Sequence, residues 1–309
     1  MMPIRKKVKM ESQSQQKATL IGFGAILLWS MLAFLVSFVS NIPPLLLLAM
    51  NFYIAFFIGL VVAIVQRINL FEIAKMDFKV WILGVGGLFG YHLLLFIALR
   101  NAPILQTSLI NYLWPLLIVL FSIFLPKNHG GGRLRYWHVL GALLGLAGSL
   151  LIVTSRGDLS FSNNYLFGYL MAFFAAIIWA SYSVLSRLFV RISTHSVTLF
   201  CLVTAISATF AHLYFEQTIW PQNLSQWLAI LALGLGPVGG AFYLWDYGMK
   251  HGSIALLGAG AYLTPLFSSF ILVFFGISKA SNSLFIAAIL ITLGALIAAK
   301  ELMFMVNKK

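Results

Sequence analysis

From Ala18 onward the sequence is a ladder of apolar runs, each long enough to cross a bilayer and each broken by charged or turn-forming residues. The breaks set runs at 18–38, 43–65, 80–99, 104–125 and 137–154, then at 166–186, 195–215, 227–248, 254–276 and 284–303. A hydrocarbon core about 30 Å thick takes about 20 apolar residues per helix, so the ladder predicts an all-α integral membrane protein with ten transmembrane helices. Composition agrees, with 61% hydrophobic and 9% charged residues against about 25% charged in soluble domains. A water-soluble fold is excluded. The first run follows a basic stretch, as a secretory signal does, but its length exceeds the roughly 7–15 residues of a signal's apolar region. It is expected to remain as a permanent helix. No break is long enough to hold a soluble domain.

The charge pattern sets the expected topology. Twenty Lys and Arg face seven Asp and Glu, a balance that in a soluble chain would point to nucleic acid. Here the cations sit between apolar runs rather than along one face, so no nucleic-acid partner is expected. If the N-terminus is cytoplasmic, only Arg100, Arg156 and Lys279 of the 20 cations fall outside, and the positive-inside rule places both termini in the cytoplasm. The single cysteine, Cys201, excludes an intrachain disulfide and a Cys-based metal cluster, and it is expected as a packed or lipid-facing thiol. His129, His138, His195, His212 and His251 lie at run ends or in breaks without metal-ligand spacing. No metal and no cofactor are expected.

Shifting the sequence by 150 places lays the second half on the first. Trp29 falls on Trp179, and Leu83-Gly84-Val85-Gly86-Gly87-Leu88-Phe89-Gly90 falls on Leu233-Gly234-Leu235-Gly236-Pro237-Val238-Gly239-Gly240. Arg100 meets Lys250, Tyr112-Leu113-Trp114-Pro115-Leu116 meets Tyr262-Leu263-Thr264-Pro265-Leu266, and Gly141-Ala142 meets Gly294-Ala295 after a slip of three. The organisation is therefore a basic cytoplasmic segment over 1–17, a first repeat over 18–154, a second over 166–303 and a tail over 304–309. Gly130-Gly131-Gly132 joins the halves as a flexible linker. Because each half has an odd number of spans, the second enters from the opposite side, which makes two inverted five-helix repeats. Secondary transporters are commonly built this way, with the substrate site at the repeat interface near the midplane.

Leu28-Trp29-Ser30, Asn111-Tyr112-Leu113-Trp114-Pro115, Ile178-Trp179-Ala180 and Trp245-Asp246-Tyr247-Gly248-Met249-Lys250-His251-Gly252 resemble the drug/metabolite transporter (DMT/EamA) superfamily, and within it the YddG-type aromatic amino acid exporters. The resemblance runs from about Lys17 to Glu301. It implies a ten-helix basket around one central cavity, in a bacterial inner-membrane exporter of small molecules that is not an enzyme.

Several residues are candidates for the chemistry. Trp29 and Trp179 stand mid-span at equivalent repeat positions, where an indole has no interfacial reason to be; a cavity wall and helix packing are both open. Tyr91, His92, Asn111, Tyr112 and Trp114 add aromatic faces and polar tips, as do Tyr182, Tyr243 and Tyr262. His92, about 12 Å inside the end marked by Arg100, is expected to face protein or cavity, either held by a backbone group, touching substrate or sensing pH. Apart from Glu301 at the terminal end of the last run, Asp246 is the one acid within an expected span. It stands four residues before Lys250, as a helix-end ion pair or as a gating or proton-carrying group. Pro115 and Pro265 are expected hinges that open backbone. The Gly84, Gly86, Gly90 and Gly234, Gly236, Gly240 sets are expected at close helix contacts.

Two cargoes follow. Neutral amino acids, aromatic ones foremost, suit a lining of rings, hydroxyls and amides without net charge, moved outward by alternating access. A cationic metabolite such as S-adenosylmethionine, taken up or exchanged, is the alternative that Asp246 would serve. The partners expected are the small-molecule substrate and membrane lipid, with the protein acting as a monomer.

Overall fold

The computed structural model describes residues 4–129, 135–155, 161–298 and 300. The Gly130-Gly131-Gly132 linker, Arg133, Arg156, Asp158 and the 304–309 tail lie outside the described residues. Among the described residues nine helices are long and apolar enough to cross a membrane: Gln13–Val36, Pro44–Val65, Phe78–Asn101, Ile104–Phe124, Tyr136–Thr154, Asn163–Phe189, Ser196–Phe215, Leu224–His251 and Ile254–Phe274. A tenth helix, Asn282–Ala298, has 17 residues and is the described part of the run expected at 284–303. The first helix starts at Ile4, within the basic segment, and runs to Ser30. Side chains such as Phe57, Val65, Phe210 and Phe274 stay largely exposed, which is the outer surface expected of helices packed within lipid.

Contacts between span ends fix two faces of the bundle. Glu216 accepts from the backbone N–H groups of Leu45 and Leu46 at 3.0–3.2 Å, and the ring of Phe34 stacks on that of Phe275. On the opposite face the N–H of Ser253 donates to Thr19 Oγ1 at 2.9 Å. The face that carries Gln13, Val65, Ser196 and His251 is called near below; the one that carries Val36, Asn101, Ile104 and Glu216 is called far.

The repeat is visible in the packing. The first span packs on Ala241–His251, and Leu166–Leu185 packs on Tyr91–Asn101, the same arrangement one repeat later. The second span packs on the seventh and the fifth on the tenth helix. A residue that touches its own repeat equivalent must stand close to the two-fold axis, and three pairs do so. The rings of Trp29 and Trp179 lie 5.8 Å apart, Tyr262 OH donates to Tyr112 O at 3.1 Å, and Gly141 and Gly294 cross backbone to backbone.

Both halves interrupt their helices at matching places. The third and eighth spans each contain one wide π turn, Gly86–Gly90 and Gly236–Gly240. The fourth span breaks after Asn111 and resumes at Trp114, while the ninth breaks after Gly260 and resumes at Leu263. Pro115 and Pro265 stand in the first turn after each break, where a missing N–H costs nothing. The helix breaks beside the two prolines thus fall at Tyr112–Leu113 and Ala261–Tyr262, two to four residues before them. The glycines divide as well. A Cβ on Gly84 would run into Phe200 and one on Gly234 into Ile54, but Gly86 faces open space and Gly90 and Gly236 have ordinary contacts. Close approach explains the first two, whereas the others mark the π turns.

Candidate functional site

A cavity of about 300 Å³ opens toward the far face, at the lower end of the roughly 300–1,000 Å³ of small-molecule sites. Its walls come from both repeats: the end of the first span, the helix after the first π turn, the two broken spans, Trp179, and Pro237, Val238 and Phe242 at the second π turn. Trp29, Tyr91, His92, Asn111, Tyr112, Trp114 and Trp179, all expected, line it. The rings form one cluster: Trp29 meets Trp114 at 6.1 Å and Trp179 at 5.8 Å, and Tyr91 leans on Trp179 at 5.4 Å. Edge and tilted contacts of this kind are favoured by the ring quadrupoles.

The polar tips are few and neutral. The imidazole of His92 shares a hydrogen bond with Leu88 O through Nδ1 at 2.6 Å, so in the neutral ring Nδ1 donates and Nε2 is left as the acceptor. Asn111 Nδ2 donates to Tyr91 OH at 3.2 Å. Asn111 Oδ1 and Thr264 Oγ1, both on lining residues, have no hydrogen-bond partner among the described residues. No Asp, Glu, Lys or Arg lines the cavity among the described residues.

Three expected lining residues lie elsewhere. Tyr262 is fully buried at the axis and is held by Tyr112 O. Tyr243 OH donates to Ala55 O or Thr198 Oγ1, each at 3.1 Å, and fills the space left by Gly59. Tyr182 packs behind Trp179 at 5.4 Å, one layer from the cavity. A mid-span tyrosine reads alike in all three settings, which is why spacing alone groups them.

Asp246 and Lys250 are also outside the cavity, toward the near face. Lys250 Nζ lies 2.8 Å from Asp246 Oδ2 and donates to Ile192 O at 3.1 Å, while Thr194 Oγ1 donates to the same carboxylate oxygen at 2.7 Å. Both side chains are buried, 1% and 3% exposed. Arg187 donates to Gly252 O beside them. The pair thus ties the eighth span to the segment between the sixth and seventh.

Repeat-equivalent positions differ in a systematic way. Leu32, Leu95 and Leu99 line the cavity, and Leu32 and Leu99 are each 39% exposed. One repeat later stand Tyr182, Trp245 and Met249, at 3%, 0% and 0%. Trp245 does not line the cavity but packs against two rings that do, 5.0 Å from Trp29 and 6.0 Å from Trp114, with its Nε1–H on Ser183 Oγ at 3.0 Å. One side of the two-fold is open and the other is packed shut. Sequence reasoning passed over Trp245, because three residues from the end of its expected run, 227–248, an indole reads as interfacial.

His212 and Glu216 were placed at a run end and in a loop. They form a buried cluster, with His212 Nδ1 2.8 Å from Glu216 Oε2 and Nε2 2.8 Å from Thr218 Oγ1, and Glu216 satisfies the first amides of the second span. No group of three or more metal-binding side chains occurs among the described residues.

Residues 16–154 and 166–299 each match the model of the EamA-like transporter family. The chain is 48% identical over 286 residues to the aromatic amino acid exporter YddG of Ancylobacter novellus, covering 92% of this chain and 98% of that one. It is 28% identical to the exporter of the same name from Salmonella typhimurium, covering 92% and 97%. A protein of known crystal structure shares 47% identity and superposes with a TM-score of 0.88 over 92% of this chain and 97% of that one. With both repeats matched, the chain is a multi-pass membrane protein and not an enzyme, and it belongs to the EamA-like transporter family.

Proposed function

We propose that this protein carries aromatic and other neutral amino acids out of the cell, across a bacterial inner membrane, as a monomer with both termini in the cytoplasm. The observation that carries the proposal is the cavity itself: six aromatic rings, of Trp29, Tyr91, Tyr112, Trp114, Trp179 and Phe242, and a handful of neutral polar groups in about 300 Å³. A flat side chain stacks on Trp29, Trp114 or Trp179, while Asn111 Oδ1, Thr264 Oγ1 and the free His92 nitrogen offer hydrogen bonds to a zwitterionic head. The relatives named aromatic amino acid exporters support the same cargo. With the near face cytoplasmic, as the concentration of Lys and Arg there argues, the open side of the cavity faces outward. The repeat then supplies the second state: Leu32, Leu95 and Leu99 close while Tyr182, Trp245 and Met249 open, which is alternating access by exchange of roles between the halves. No observation favours a cationic cargo, because the acid it would need is engaged by Lys250 and Thr194 away from the cavity.

The test uses purified protein in liposomes loaded with labelled tryptophan, phenylalanine, threonine or S-adenosylmethionine, with and without an imposed pH gradient. Tryptophan and phenylalanine efflux that ignores the gradient is expected, as flow down the substrate gradient needs no proton relay. Movement of S-adenosylmethionine alone would overturn the cargo. Trp179→Ala or Trp29→Ala is expected to weaken apparent affinity for tryptophan about tenfold, since one lost aromatic contact is worth about 1.4 kcal/mol, with threonine much less affected. Wild-type tryptophan kinetics in both variants would remove these rings from the substrate site.

A further inference from the structure

A second, small cavity of about 10 Å³ lies against the Asp246–Lys250 pair, bounded also by Tyr182, Ser186 and Ser196 and by Phe200. About 10–15 Å³ is the least space that holds one water molecule, and a buried water needs two to four polar partners. Both conditions are met. Tyr182 and Ser196 are 3% and 0% exposed, and neither hydroxyl has a hydrogen-bond partner among the described residues. Native structures seldom leave two buried hydroxyls unsatisfied on residues that line one small cavity.

We propose that this cavity is an internal water site, and that its water joins Tyr182 and Ser196 to the Asp246–Lys250 pair, so that the aromatic wall of the large cavity and the ion pair on the near face act as one latch. Tyr182 is the connecting piece. Its ring packs on Trp179, which lines the large cavity, while its hydroxyl belongs to a residue lining the small one. The third span yields room for that ring at Gly87, where a Cβ would run into the Tyr182 side chain. Tyr182 is also the repeat equivalent of Leu32, at the open mouth of the large cavity, so it is among the side chains that must move when the near side opens. Its motion would strip the water of a partner and weaken the shell around Asp246 in the same step. The inference rests on the alternating-access reading above, but its test is made without substrate.

Tyr182→Phe and Ser196→Ala each remove one water partner while keeping shape. A single reporter cysteine, Met249→Cys in a Cys201→Ala background, sits in the packed near side, and its rate of reaction with a thiol reagent reads how often that side opens. Each variant is expected to speed labelling about fivefold, and the double variant little more than either single one, because both act through one water. A crystal structure at about 2 Å should show a water oxygen within about 3.2 Å of Tyr182 OH and Ser196 Oγ. Labelling at the parental rate in both variants, acceleration that multiplies in the double variant, or well-defined density without that water would overturn the proposal. Failure of the export reading would show instead as no tryptophan movement by the unmodified protein.

Discussion

Lys250→Met is expected to destabilise the protein by about 3–5 kcal/mol, the cost of leaving one member of a buried ion pair uncompensated. Lys250 and Asp246 are 3% and 1% exposed and 2.8 Å apart, so no bulk water takes over when the ammonium is removed. Thr194 still donates to Asp246, but Ile192 O loses the donor it has now. The double variant Asp246→Asn with Lys250→Met removes both charges. It is expected to recover most of the loss, because replacing a buried pair outright is often neutral. Thermal unfolding in detergent of the two single variants, the double variant and the parent closes the cycle. A coupling below about 0.5 kcal/mol would mean that the pair is screened as a surface pair is. Since the pair lies outside the large cavity, the double variant should still bind tryptophan, with its effect confined to how firmly the near side stays shut.

The fold was legible because a bilayer leaves few choices. Backbone groups in hydrocarbon must be satisfied within a helix, so run length alone located the spans, and the shared glycine spacing exposed the repeat. Trp29 and Trp179 were legible for a related reason: residues that coincide under the repeat and stand mid-span fall near the axis, where the halves meet. Leu32, Leu95 and Leu99 were not, since a leucine lining a cavity and a leucine facing lipid present the same letter. Nor was Glu216 recognised, because the amides that it caps belong to a span 171 positions away. The deepest limit is that of state. The repeat assigns Leu95 and Trp245 to equivalent places, and only the three-dimensional packing tells which of them is open to the cavity and which is buried.

Gly141→Leu is expected to prevent formation of stable protein, and Gly141→Ala to lower stability by more than the about 1–3 kcal/mol typical of overpacking. A Cβ on Gly141 would lie 2.5 Å from Gly294 O, and one on Gly294 would lie 2.5 Å from Gly141 O. Both obstacles are backbone atoms, so no rotamer change relieves them. The fifth span and the tenth helix would have to separate along their length, exposing Ala142, Ile291 and Ala298, which are now at most 2% exposed. Small residues permit such crossings in membranes, where dispersion contacts rather than the hydrophobic effect hold helices together. Gly86→Ala is the matched control, since a Cβ there meets nothing within 4 Å and alanine removes backbone freedom from the unfolded chain. Monodisperse yield and melting temperature in detergent should fall sharply for Gly141→Ala and hold for Gly86→Ala. Equal behaviour of the two would show that the crossing at the repeat axis is looser than its geometry requires.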